Sequence, residues 1–179
     1  MGKMDEVKQA IREVMDFPKP GIGFKDITPV LQDARLFSKV IDALTKWAAA
    51  LDPDIIVGIE SRGFLFASPV AIGLKKGMAL IRKKGKLPYE TVEVKAPNEY
   101  AEEIFEIHID AVKKGERVVI IDDLIATGWS SISAIDLVKK LDGRVVGFGA
   151  LVDLSFLNGV PNIKERHPDV EVKTLIQFE

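Results

Sequence analysis

The sequence predicts an α/β fold in which a mainly parallel sheet is covered by helices on both faces. Two short runs are apolar at nearly every position, Ile55-Ile56-Val57-Gly58-Ile59 and Val118-Val119-Ile120-Ile121, as strands buried on both faces require. Apolar stripes at helical spacing alternate with such runs, the pattern of a parallel sheet with crossover helices. A chain of 179 residues, 47% hydrophobic and 29% charged, can bury a substantial core and has neither a disordered nor a low-complexity composition.

Taken in order, Val7, Ala10, Ile11 and Val14 repeat at helical spacing and predict an amphipathic helix over 4–15, stopped by Pro18 and Pro20. A loop follows. Asp33 is a candidate N-cap for a second helix whose stripe is Leu36, Phe37, Val40, Ile41 and Leu44 and which ends before Pro53. The strand at 55–59 stops at Glu60-Ser61-Arg62-Gly63, and a helix is expected over 64–74 despite Pro69. Residues 78–81 read as the next strand. Arg82-Lys83-Lys84-Gly85-Lys86 then opens a polar excursion, with short strands in it, to about Glu103.

Phe105, Ile107 and Ile109 alternate with Glu106 and His108, which predicts a half-exposed strand. Residues 117–121 form a second buried-type strand. Ile132, Ile135, Val138 and Leu141 mark the helix behind it, closed by Gly143. Further strands are expected at 145–152 and 170–176. With no internal repeat and no Ser/Gly-rich linker, a single domain over 1–179 is expected.

Composition narrows the function. A net charge of −2 offers no overall attraction to a nucleic-acid backbone or an anionic membrane, so neither is expected as a partner, and any anion must be captured locally. The chain has no cysteine, which excludes disulfides, thiolate nucleophiles and Cys-ligated metals. Met1-Gly2-Lys3-Met4-Asp5-Glu6 lacks the apolar core of a signal peptide, and the longest apolar stretch is too short to cross a bilayer; a cytoplasmic protein is expected. His108 and His167 stand far apart without metal-ligand spacing, so surface or structural roles are expected for them.

In such sheets ligands lie beyond the carboxyl ends of the strands, which directs attention to 60–63 and 122–131. In the second segment, Asp122 and Asp123 emerge at a strand end. A turn with Ala126, Thr127, Gly128, Trp129, Ser130 and Ser131 follows, and a helix starts at once. The free N–H groups of a helix start, with the hydroxyls, make a cradle for a phosphate. A carboxylate pair does not face a phosphate favourably, so the acids must hold another part of the same ligand. Sugar hydroxyls donate hydrogen bonds to carboxylates, and the implied ligand is a ribose phosphate. The plainer alternative is that the two acids merely cap a turn. An ATPase metal site would need an upstream Gly-x-x-x-x-Gly-Lys-Ser/Thr loop, which the sequence lacks.

The fourteen residues Val118–Ser131 resemble the phosphoribosyl pyrophosphate motif of the type I phosphoribosyltransferase family. The resemblance extends along the chain to the members that act on adenine. It is carried by Asp16-Phe17-Pro18-Lys19-Pro20-Gly21-Ile22 with Phe24-Lys25-Asp26-Ile27-Thr28-Pro29, by Ser61-Arg62-Gly63-Phe64, by Leu80-Ile81-Arg82-Lys83-Lys84-Gly85-Lys86-Leu87-Pro88, by Glu99-Tyr100 and by Thr174-Leu175-Ile176-Gln177-Phe178-Glu179. It implies a core over about 33–179, a small N-terminal hood over about 1–32 and a flexible loop.

The resemblance implies Mg²⁺-dependent transfer of 5-phosphoribosyl from 5-phosphoribosyl 1-pyrophosphate (PRPP) to adenine, giving AMP and pyrophosphate. By position, Asp122 and Asp123 would hold the ribose hydroxyls, and 126–131 would wrap the 5-phosphate. Ser61, Arg62 and Gly63 would meet the pyrophosphate, approached by Arg82, Lys83 and Lys86. Glu99 would exchange a proton with the purine, Arg62 would offset charge on the leaving group, and Tyr100, Gly23, Phe24 and Lys25 would surround the base. Magnesium would be carried mainly by the donor, and a homodimer is implied.

Gly23, Lys25, Glu60, Ala101 and Trp129 depart from the family pattern. Lys25 stands where the family has Arg and lacks its planar fork, which keeps hypoxanthine or guanine open as the acceptor. A PRPP-sensing module without catalysis is the third reading. If the Trp129 position requires a positive φ, its side chain would be strained.

Overall fold

The computed structural model describes residues 4–96 and 103–179. They fall into two compact units, Met1–Ala43 and Leu44–Glu179.

In the first unit, α1 (Asp5–Ala10) is followed by β1 (Arg12–Met15), which pairs antiparallel with β2 (Gly23–Asp26); α2 (Thr28–Gln32) and the start of α3 (Ala34–Ala50) complete it. The single helix expected over 4–15 is therefore corrected. It stops at Ala10, where the Ile11 N–H donates to the Lys8 carbonyl at 3.3 Å, and Val14 lies opposite Phe24 in the hairpin. The helical spacing of Val7, Ala10 and Ile11 is real, but Val14 belongs to a strand whose partner lies ten residues downstream. The expected cap is present: Asp33 Oδ1 accepts from the Arg35 and Leu36 N–H groups at 2.9 and 3.1 Å.

The second unit is a seven-stranded sheet. Its strands are β3 (Ile55–Ile59), β4 (Gly77–Lys83), β5 (Thr91–Lys95), β6 (Ile104–His108), β7 (Arg117–Ile125), β8 (Arg144–Leu154) and β9 (Glu171–Phe178), in the spatial order β5-β6-β4-β3-β7-β8-β9. The pairs from β4 through β3, β7 and β8 to β9 are parallel, and β6 runs antiparallel to both β4 and β5. Helix α4 (Gly63–Leu74) joins β3 to β4, α5 (Trp129–Lys140) joins β7 to β8, and α6 (Gly159–Arg166) precedes β9.

The crossover from β3 to β4 moves one way along the sheet and that from β7 to β8 the other. Right-handed crossovers therefore put α4 and α5 on opposite faces. The core divides accordingly. Val57, Ile59, Val118 and Ile120 pack with Ile132, Ile135 and Val138 of α5, whereas Gly58 faces α4, where an added Cβ would stand 2.9 Å from that of Ala67. The strand order reverses between β3 and β7, which places a topological switch point at their carboxyl ends.

Two strand expectations change. β7 continues past the expected 117–121 to Ile125, so Asp122 and Asp123 lie within the strand and not at its end. β6 is not half exposed at its centre: Glu106 is buried and accepts hydrogen bonds from the Lys86 and Leu87 N–H groups at 3.0 and 2.9 Å. A buried carboxylate with backbone donors can occupy a position that alternation assigns to solvent.

Candidate active site

The carboxyl ends of β3 and β7 open into one cavity of about 250 Å³. From the turn after β3 come Glu60, Ser61 and Arg62; from β4 comes Lys83; from β7 come Asp122 and Asp123. The remaining wall is the loop into α5, Ala126, Thr127 and Gly128, with Trp129, Ser130 and Ser131 in the first helical turn. Two segments some sixty residues apart in sequence thus meet because β3 and β7 are neighbours in register, Gly58 opposite Ile121.

The loop is shaped by Gly128, whose φ of +85° puts it in the left-handed region that residues with a side chain rarely adopt. The left-handed turn falls on Gly128, and Trp129 is the first residue of the helix. The strain considered for Trp129 is therefore absent. The Ile132 N–H donates to the Gly128 carbonyl at 2.9 Å, the first bond of α5, so the N–H groups of Trp129, Ser130 and Ser131 precede the intrahelical ladder. They stand at the positive end of the helix, beside two hydroxyls: a site suited to a phosphate dianion.

The opposite wall is acidic. Asp122 Oδ1 accepts from the Asp123 N–H at 2.8 Å, and Gly63 packs so tightly that an added Cβ would stand 2.8 Å from that same oxygen. Burial holds the Asp122 carboxyl well above the ordinary carboxylate range, and the neighbouring Asp123 charge adds to the effect. Burial also raises Asp123, opposed by the Arg62 guanidinium. Arg62 Nε lies 2.9 Å from Asp123 Oδ2, yet that oxygen has no hydrogen bond within the protein. It is charge-compensated by Arg62 and closed to solvent in the free protein.

The basic segment after β4 is organised by Glu60. Its Oε2 accepts from Arg82 Nε at 3.2 Å and from the Lys83 N–H at 3.1 Å, and its Oε1 accepts from Lys86. Burial pushes the Glu60 carboxyl up, but these donors outweigh it and leave it below the usual value. Arg82 and Lys86 are thus gathered at the cavity wall by Glu60 and do not themselves line the cavity, whereas Lys83 does, paired with Glu103.

Gly23, Phe24 and Lys25 lie on β2 in the first unit, where Lys25 Nζ donates to Glu13 Oε1 at 2.7 Å and the Phe24 ring meets that of Phe17 edge-on, centroids 5.1 Å apart. Glu99 and Tyr100 fall outside the described residues. Sequence reasoning missed Glu60 as an organiser and Glu103 as a wall residue. Only the position of Glu60 at a strand end was a signal. Among the described residues no three acidic or imidazole side chains converge to hold a metal, and none of the helices is long and apolar enough to cross a membrane.

Residues 30–179 match the model of the phosphoribosyl transferase domain. The chain is 53% identical over 173 residues to the adenine phosphoribosyltransferase of Caldicellulosiruptor saccharolyticus, with 97% of each chain covered. Among solved structures it resembles the adenine phosphoribosyltransferase of Rhodothermus marinus, at 43% identity and a TM-score of 0.91 with 98% of each chain covered. It also resembles that of Saccharomyces cerevisiae in complex with an imino-altritol bisphosphate and adenine, at 37% identity and a TM-score of 0.88, covering 97% of this chain and 98% of the other.

Proposed function

Because the chain belongs to the phosphoribosyltransferase family, we propose that it transfers the 5-phosphoribosyl group of PRPP to N9 of adenine, forming AMP and pyrophosphate for purine salvage. The observation that carries this reading is the single cavity in which the Asp122–Asp123 pair faces the 126–131 cradle, acceptors for a diol on one side and donors for a phosphate on the other.

Asp122 and Asp123 accept the ribose hydroxyls, and the cradle anchors the 5-phosphate, so the anomeric carbon is held towards Ser61 and Arg62. Adenine N9 attacks that carbon while its bond to the pyrophosphate oxygen breaks and the electron pair leaves with pyrophosphate. Positive charge grows on the ribose and negative charge on the leaving group. Arg62 and Lys83 offset the latter from fixed positions, with Arg82 and Lys86 behind them on Glu60. The proton on the purine passes to Glu99, with Tyr100 shielding the base and Gly23, Phe24 and Lys25 forming its hood.

Magnesium suits this donor set. With Asp122 and Asp123 given to the ribose hydroxyls, the ion would be carried mainly by the oxygens of PRPP, where it would neutralise charge on the departing pyrophosphate. A cytoplasmic homodimer completes the proposal.

Incubation with PRPP, Mg²⁺ and each purine in turn tests it. AMP from adenine alone is expected. IMP or GMP would move the acceptor to an oxopurine, and PRPP binding without turnover would make the chain a sensor.

A further inference from the structure

The phosphate cradle is backed by α6, an element to which the sequence assigned no part in the site. Asn162 Nδ2 donates to the Thr127 carbonyl at 3.0 Å. Gly159 approaches the loop so closely that an added Cβ would fall 2.2 Å from the Ala126 carbonyl oxygen, and one on Gly128 would fall 2.6 Å from that of Gly159. At the far end of the helix, Arg166 Cζ lies 5.4 Å from the Trp129 ring centre, within range of a cation–π contact.

A trans peptide is planar, with its carbonyl and N–H pointing in opposite directions. Turning the Thr127 carbonyl back towards Asn162 therefore turns the N–H of the Thr127–Gly128 peptide away from α6, and both residues line the cavity. A carbonyl oxygen only accepts, so the group on Asn162 that meets it must be its NH₂. With a shorter or apolar side chain at 162 the carbonyl would lose its partner, and the peptide would be free to rotate its donor out of the cradle.

We propose that Asn162 is a positioning residue for the 5-phosphate: it sets the Thr127–Gly128 peptide so that its N–H faces the bound anion, while the Arg166–Trp129 stack holds the first turn of α5 against the same helix. This rests on the ribose-phosphate reading above and narrows it to the phosphate half of the ligand. Asn162 touches no reacting atom, so its loss weakens grip and not chemistry.

The test compares two ligands that each carry one half of the donor. Ribose 5-phosphate and pyrophosphate with Mg²⁺ are titrated separately into the full-length protein, its Asn162→Ala variant and its Asn162→Leu variant, the last keeping the side-chain bulk. Ribose 5-phosphate affinity is expected to fall about tenfold in both variants and pyrophosphate affinity to stay within about twofold, with the PRPP KM raised and kcat within about threefold. Equal weakening of both ligands would mean a general structural defect and would overturn the assignment, as would unchanged ribose 5-phosphate affinity in both variants. Failure of the unmodified protein to bind ribose 5-phosphate overturns the ribose-phosphate reading itself, and the assignment with it.

Discussion

Arg62 Nε stands 2.9 Å from Asp123 Oδ2, joining a side chain that is 40% exposed to one that is 7% exposed. The cation proposed to face pyrophosphate and the carboxylate proposed to face ribose are thus partners in the free protein. Binding of the donor must share or loosen this pair, and the two halves of the ligand are linked through it.

Arg62→Met leaves Asp123 buried without its cation and raises its carboxyl further. An acid whose pKa is raised by folding stabilises the protein most below its unfolded value of about 3.9, and that stability is lost as pH rises through the folded value. The variant should therefore lose melting temperature against the parent more at pH 8 than at pH 5, and lose kcat/KM by roughly 10²-fold or more. A parallel shift across pH would contradict the pairing.

Asp122→Asn should separate stability from function. The buried Asp122 carboxyl is raised by burial and by Asp123, so it destabilises the fold increasingly as pH climbs past the ordinary carboxylate range. Asn keeps an acceptor for the Asp123 N–H and removes the charge. The melting temperature at pH 7 to 8 should rise, while PRPP affinity falls about tenfold to a hundredfold through loss of a charge-assisted hydrogen bond. Thermal scans beside calorimetric titrations check both signs.

Gly128→Ala should remove the phosphate grip. A φ of +85° is costly for alanine, and the new Cβ meets the Gly159 carbonyl oxygen at 2.6 Å. A stability loss of at least about 1 kcal/mol is expected. The PRPP KM should rise more than about tenfold, read by denaturant unfolding and steady-state kinetics.

Glu60→Gln keeps the shape of the organiser and removes its charge. Arg82 and Lys86 lose their common anchor, and pyrophosphate affinity should weaken about tenfold while ribose 5-phosphate affinity holds. The Glu60 carboxyl lies below its ordinary value in the folded protein, so its stabilising share is present at neutral pH and lost as pH falls through that lowered value. The variant should show a flatter acid limb in thermal stability between about pH 5 and pH 3.

Much of this was legible in the chain. Strand β3 was read at its observed bounds, and the stripe beginning at Ile132 located α5, because nearly unbroken apolar runs and 3.6-residue spacing are local properties. Asp122, Asp123 and 126–131 were legible for the same reason, being contiguous. What the sequence hid depends on distant partners. Val14 continues a helical stripe but pairs with Phe24; Glu106 alternates like a surface residue but is buried on backbone donors; Glu60 gathers cations that are more than twenty residues away. Helix α6 is only eight residues long, carries Pro161 and has Val160 and Ile163 as its only large apolar residues, so nothing local announced that it backs the cradle.

The most direct measurement is a crystal structure with AMP bound. The ribose hydroxyls should lie within hydrogen-bond distance of Asp122 and Asp123, and the phosphate should sit on the backbone N–H groups and hydroxyls of Thr127, Gly128, Trp129, Ser130 and Ser131. AMP seated elsewhere, or turned so that its phosphate meets Arg62 and its sugar leaves the two aspartates untouched, would contradict the account.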